Sequence, residues 1–326
     1  MRLFCQLIAL TSLTFFLCQS VGAQSFSSLS RYKVNYNLAT NAGEKQISIR
    51  SFFSAGKKYL LLVDPISFDT KIDLASHYTL KTLAFSNILA IFQNSAYVKS
   101  LESAMLKDIQ LQNAGIDHSI PGEKGITLTI DLCPSHKPLD RVIFQSVFDA
   151  FKKIEQPAPL AVSVSGKWML KHQDDLNWLK SLVAQKDLDI TWINHSYNHE
   201  VTALPLSENF LLSPGTNLDT EVLENEKLMI RNGLTPSVFF RFPGLVSDKS
   251  VLEKIEAYGL VPVGSDAWLA KGQKANAGSI VLIHGNGNEE TGVQDFIQLL
   301  KMRQADVQNK QWLLFDLRKG LEKEFE

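Results

Sequence analysis

The chain has 326 residues, with 33 basic against 34 acidic side chains, a formal net charge of −1 and 45% hydrophobic residues. That balance excludes nucleic acid or an anionic membrane surface as the main partner. The length is enough to bury a large core and suits one large domain plus a smaller one.

Met1 to Ala23 has a single early cation, Arg2, a mostly apolar run from Leu3 to Cys18, and Val21-Gly22-Ala23 as a small-residue cleavage site. This pattern reads as a secretory signal peptide rather than a membrane span, so the expected location is secreted or periplasmic. Cys18 suggests a lipoprotein, but Phe16-Leu17 lacks the small residues expected before a lipidated cysteine. Removing the segment takes Arg2, Cys5 and Cys18 with it. The remaining chain has 32 basic against 34 acidic residues, and Cys133 as its one cysteine, which excludes an intramolecular disulfide. No later stretch is long and apolar enough to cross a bilayer.

Residues 24–120 carry no motif that points to chemistry and read as a small α+β region. Tyr32–Leu38 and Gln46–Phe53 alternate apolar with polar, Tyr59–Val63 is continuously apolar, and Gly43 and Gly56 punctuate them, so a small antiparallel sheet is expected. From Leu83 to Asn113, Phe85, Leu89, Phe92, Leu101, Met105 and Ile109 recur at helical spacing, with Gly115 as a stop. Core packing accounts for that stripe, and His77 and the Asp117-His118 pair read as ordinary surface or core residues.

Residues 121–326 change to strands separated by amphipathic helices. In Ile126–Asp131 apolar residues alternate with Thr127, Thr129 and Asp131, giving a strand that delivers a carboxylate at its carboxyl end before Pro134 stops it. Phe144, Val147, Phe148, Phe151 and Ile154 form a helical face, Leu160–Val164 the next strand, and Leu176, Leu179, Leu182 and Val183 the next helix. Leu188–Ile193 is a strand leading to His195 and His199, whose i, i+4 spacing lets two imidazoles converge on one ion. Val238–Arg241 is another strand, followed by a helix with Ser247 as its expected N-cap and Gly259 as its stop. Ile280–Ile283, a helix around Phe296–Leu300 and a strand at Trp312–Leu317 complete the series. Such repetition implies parallel strands, with ligands at their carboxyl ends. Lys167-Trp168, after Gly166, falls at one of these ends and is a candidate groove lining. Taken singly, Asp131, Arg241, Trp268 and His284 each have an ordinary structural account, as a strand cap, an ion-pair partner, a core aromatic or a backbone-bonded imidazole.

Together they resemble the polysaccharide deacetylase family, which includes chitin and peptidoglycan deacetylases. The family's T-F-D-D-G-P is met by Thr129-Ile130-Asp131-Leu132-Cys133-Pro134, and its H-[ST]-x-x-H by His195-Ser196-Tyr197-Asn198-His199. R-x-P is met by Arg241-Phe242-Pro243, the Asp/Trp motif by Asp266-Ala267-Trp268, and L-x-H by Leu282-Ile283-His284. Each motif is weak alone, and the order over roughly 200 residues carries the signal. The resemblance implies an α/β fold, a distorted (β/α) barrel of about seven strands, after the small α+β N-terminal region. It also implies a hydrolase removing N-acetyl groups from a sugar polymer, peptidoglycan or an exopolysaccharide. The cofactor it implies is a divalent metal held by His195 and His199, zinc first, with cobalt or another divalent ion as alternatives. In its terms Asp131 is the base, Arg241 holds Asp131 ionised, His284 is the acid, Asp266 fixes the charge or tautomer of His284, and Trp268, Pro243 and Leu282 contact substrate.

Leu132 stands where the family has its second Asp, Cys133 where it has Gly, and Gly244 where an aromatic often follows R-x-P. A zinc site normally has three protein ligands and an open position. Leu132 therefore leaves four outcomes open: Asp131 becomes a ligand, His136 or Cys133 substitutes, water completes the shell, or the metal is lost. The rival reading is a non-catalytic glycan-binding protein on the same scaffold. Retention of Asp131, Arg241, Asp266 and His284 favours the enzyme, since binding alone needs neither base nor acid.

Overall fold

A computed structural model describes residue 26, residues 28–106 and residues 111–325; the signal-peptide pattern and Ile109 lie outside the described residues. The first part is an antiparallel sheet of β1 (Ser30–Asn41), β2 (Glu44–Ser54), β3 (Lys57–Val63), β4 (Thr70–Leu74) and β5 (Thr79–Thr82), ordered β4-β3-β2-β1-β5. Ala42-Gly43 and Ala55-Gly56 form its two tight turns. All four residues have positive φ, the geometry that matches the twist of a two-residue hairpin. Strands β4 and β5 are short, lysine-bearing edges. The helical stripe resolves into two helices, Phe85–Ile91 and Ala96–Leu106.

The second part is a parallel sheet with order β10-β9-β8-β7-β6-β12-β11. Its strands are β6 (Gly125–Leu132), β7 (Ala158–Val164), β8 (Leu188–Asn194), β9 (Phe239–Phe240), β10 (Val261–Pro262), β11 (Ala267–Trp268) and β12 (Ile280–His284), and β13 (Leu313–Leu314) pairs with the start of β6. Seven parallel strands curve with helices outside them, forming a distorted half-barrel. Every residue of β6 and β7 is buried, as expected of strands covered on both faces. One face of β6 (Ile126, Leu128, Ile130 and Leu132) packs on Ile143, Phe144, Val147 and Phe151 of the helix Arg141–Phe151. The alternate residues Thr127, Thr129 and Asp131 face the other way.

The antiparallel sheet is fastened to the barrel by a shared core in which Ile47, Ile49, Leu61 and Val63 meet Ala161, Ile193, Phe239 and Val261. At that junction Arg50 donates to both carboxylate oxygens of Glu226 at 2.7 and 2.8 Å, and both side chains are fully buried. A bidentate charged pair satisfies the geometry that burial of an ion requires.

Two boundaries differ from expectation. The helix Lys249–Ala257 is capped by Asp248, whose side chain accepts from Val251 N at 2.8 Å, and not by Ser247. The strand expected over Trp312–Leu317 contracts to β13. Asp316 accepts from the backbone N–H of Arg318 at 2.8 Å and turns the chain into the helix Leu317–Phe325.

Candidate functional site

The carboxyl ends of β6, β8, β9 and β12 bring Asp131, Cys133, His195, His199, Arg241 and His284 together. Asp131 ends the polar phase of β6, and the chain is held there by Gly285 N–H on Asp131 O at 3.1 Å and by Asn286 Nδ2 on Cys133 O at 2.8 Å. One more residue along the strand, Leu132 returns to the apolar phase and is fully buried in the core beneath the helices. Cys133, next in the polar phase, is the residue that emerges beside Asp131.

His195 follows β8 directly and has no exposure. Its Nδ1 bonds Arg241 O at 2.8 Å, which leaves Nε2 facing Cys133 Sγ at 3.4 Å and Asp131 Oδ2 at 3.7 Å. His199 reaches the same place through a backbone with Ser196 and His199 both at positive φ, 66° and 47°. Such strain persists only where the surroundings impose it. Glu221, in a π-helical turn Thr220–Glu224, accepts from the backbone N–H of Asn198 at 2.8 Å and from its side-chain amide at 2.6 Å, gripping the residue before His199. Both ring nitrogens of His199 are buried without a hydrogen-bond partner.

Donor atoms of Cys133, His195 and His199 all lie within 4.8 Å of one another, and these three buried residues could bind a metal ion. An imidazole with two orphaned nitrogens beside a thiol and a second imidazole fits a cation, which would satisfy one of the two nitrogens that the protein leaves unpaired. His136 is exposed and pairs with Lys171, so it is not part of this group.

Arg241 is fully buried, with Nη1 at 3.9 Å from Asp131 Oδ2 and Nη2 donating to Thr129 Oγ1 at 2.9 Å. Burial pushes the Asp131 carboxyl up, but the charges of Arg241, His195 and His284 outweigh it and hold the group below the usual carboxylate range. Burial likewise pushes the His284 imidazolium down, yet Cys133, Glu289 and Asp131 hold it well above the ordinary histidine value.

The partner of His284 is not Asp266. Asp266 bonds His118 Nδ1 at 2.8 Å, Ser279 Oγ at 3.2 Å and the backbone N–H of Ile280 at 3.0 Å, so it braces the entry to β12. Glu289 takes the place expected of it, meeting His284 Nδ1 at 2.7 Å and accepting from Trp268 Nε1 at 2.8 Å. Trp268 and Glu289 line a cleft of about 570 Å³ with Cys133, Pro134, Lys167, Asn198, His199, Phe210, Gly244 and His284. Trp268 is only 9% exposed, with Lys271 Nζ 3.6 Å from its ring centroid, so it presents little free ring surface. Pro243 and Leu282, expected to contact substrate, are both buried outside the cleft lining. Leu282 shares the strand phase of His284 but packs on Leu245 and Trp268, which cover it. Of the Lys167-Trp168 pair, Lys167 lines the cleft while Trp168 is buried against His172.

Gly244 does not leave the groove without a wall. At φ 61° it leaves room for the Phe210 ring, whose atoms lie 2.5 Å from where a Cβ would be, and Phe210 also packs edge-on against His199 at 5.8 Å. Phe210 and Glu289 belong to no motif, and nothing in their spacing marks them. Cys133 was legible from the alternation of β6.

Fold and cleft define a barrel with a carboxylate, an imidazole and a group of metal-type donors at its strand ends. Over most of its length the chain is similar to solved structures of family 4 carbohydrate esterases. Wild-type BA3943, a CE4 family pseudoenzyme from Bacillus anthracis, matches with a TM-score of 0.44 at 16% identity, covering 81% of this chain and 84% of that one. A family 4 carbohydrate esterase from the same organism matches with a TM-score of 0.45 at 18% identity, over 68% of this chain and 91% of that one. The peptidoglycan deacetylase PdaC from Bacillus subtilis matches with a TM-score of 0.43 at 17% identity, over 62% and 92%. The antiparallel region is similar to a different family, described as the RP012 protein N-terminal domain, which matches residues 30–98.

Proposed function

We propose that the protein is a secreted, metal-dependent hydrolase that removes N-acetyl groups from an N-acetylated sugar polymer, peptidoglycan or an exopolysaccharide. The observation that carries this reading is the convergence of Asp131 and Arg241 on His195, directly beneath the cleft that Cys133, His199 and His284 line. A divalent ion on His195, His199 and their neighbour would supply positive charge that acidifies water and polarises the amide carbonyl.

The chain's own groups account for the proton movements. Asp131, ionised beside Arg241, accepts the proton of the attacking water at its carboxylate. His284, bonded through Nδ1 to Glu289 and standing beside Cys133, carries the proton that the departing amine needs. Amines leave poorly unless protonated, so a base without this acid would stall at the tetrahedral stage. Phe210 flanks the cleft and supplies an apolar wall beside His199.

Acetate release from a panel of N-acetylated glycans, with zinc or cobalt added, tests the proposal directly. Wild type should release acetate, and Asp131→Asn should lose roughly 10²–10⁴-fold in rate at a temperature where circular dichroism shows it still folded. No acetate from any glycan, together with measurable glycan binding, would instead support the non-catalytic reading.

A further inference from the structure

We infer that Cys133 supplies the missing third ligand as a thiolate, so that Cys133 Sγ, His195 Nε2 and one ring nitrogen of His199 make a site for a thiophilic, tetrahedral divalent cation of the zinc and cobalt kind. The inference rests on the reading that this site holds a divalent ion, and not on the deacetylation itself.

Geometry is the first support. Zn–S and Zn–N bonds of about 2.3 and 2.0–2.1 Å at tetrahedral angles place a sulfur and a nitrogen ligand about 3.5 Å apart. Cys133 Sγ and His195 Nε2 are 3.4 Å apart. His195 Nδ1 is already committed to Arg241 O, which fixes the ring and leaves Nε2 as the donor. The second, independent support is His199: only 6% exposed, it has two ring nitrogens with no partner, and its ring stands 4.7 Å from that of His195 at 64°. The grip of Glu221 on Asn198 maintains the backbone that aims it there.

Two alternatives are placed elsewhere: Leu132 is buried among the core side chains, and His136 is out on the surface with Lys171. Asp131 Oδ2 stands farther from His195 Nε2, at 3.7 Å, than Cys133 Sγ does at 3.4 Å, and shares its charge with Arg241 Nη1 at 3.9 Å. The donor set also selects the ion. A thiolate and two imidazoles are soft and borderline ligands, whereas magnesium and calcium require six or more oxygens. Cys133 and His199 both line the cleft, so the fourth position opens towards substrate.

The test uses the full chain stripped of metal and titrated with cobalt(II). One equivalent should bind, with visible bands of four-coordinate intensity and a sulfur-to-cobalt charge-transfer band in the near ultraviolet. Cys133→Ser should abolish the charge-transfer band and weaken binding by more than the roughly 10–100-fold that loss of an outer partner costs. Zinc should displace cobalt, and millimolar magnesium or calcium should not. X-ray absorption of the zinc-loaded wild type needs no variant and should show one sulfur at about 2.3 Å. A shell of nitrogen and oxygen alone, or an unchanged cobalt spectrum in Cys133→Ser, overturns the inference. Acetate release measured in parallel separates the two readings. A sulfur-ligated ion without acetate release leaves this inference standing and removes the deacetylase; release supported by magnesium with no sulfur in the shell does the reverse.

Discussion

Replacing Leu132 by Asp would seem to restore the carboxylate that the family pattern places there, but the structure predicts damage without gain. Leu132 has no exposed surface and lies on the helix-facing side of β6 with Ile126, Leu128 and Ile130. Its side chain therefore points away from Cys133, His195 and His199. Truncating a buried leucine costs about 2–5 kcal/mol, and a carboxylate left among apolar side chains adds a penalty that it limits by staying protonated. A net loss of about 3–5 kcal/mol corresponds to a melting temperature lower by on the order of 10 °C in a chain of this size. The sign with pH follows. The introduced acid has a raised folded-state pKa, so the folded form holds a proton that the unfolded chain releases above about pH 4, and the deficit deepens as pH rises. Thermal unfolding of wild type and Leu132→Asp at two pH values, with and without zinc, reads all of this. A larger zinc-induced rise in the variant than in wild type would show that position 132 reaches the ion and would refute the placement.

Glu289→Gln should lower the deacetylation rate roughly tenfold or more, because Gln cannot stabilise the charged His284 as the carboxylate at 2.7 Å does. An activated ester, whose leaving group needs no proton, should be affected far less, and equal losses on both substrates would contradict the assignment. Away from the cleft, burial and the neighbouring Glu253 push the Glu256 carboxyl up to about 8. The folded state then holds a proton that the unfolded chain gives up from about pH 4.5, and stability is lost as pH rises towards 8 and through it. Glu256→Gln should therefore flatten the fall in melting temperature between pH 5 and 9, and parallel curves for the two proteins would show that Glu256 does not titrate as described.

Part of this site was legible from residue order because it depends on strand period, and part was not because it depends on how loops cross. The alternation Thr127-Thr129-Asp131 fixes which face of β6 carries chemistry, and extending it by two residues selects Cys133 and sends Leu132 to the core. Matching by motif pulls the other way. It assigns roles by analogy of position, so Leu132 looks like a lost ligand and Asp266 like the partner of His284. Position in a motif does not determine the direction of a side chain. Asp266 lies near His284 in the pattern but turns to His118 and Ser279, while Glu289, five residues beyond His284 in a loop with no periodicity, swings back onto its Nδ1. Phe210 shows the same logic across a longer interval, filling the space that Gly244 vacates from a segment 34 positions earlier. The second-layer residues of the cleft are contributed by loops whose course is set by the packing of the whole barrel. A reading of β6 and β8 could find the donors, but it could not find Glu289, Glu221 or Phe210, which hold the acid, brace the loop before His199 and form the wall.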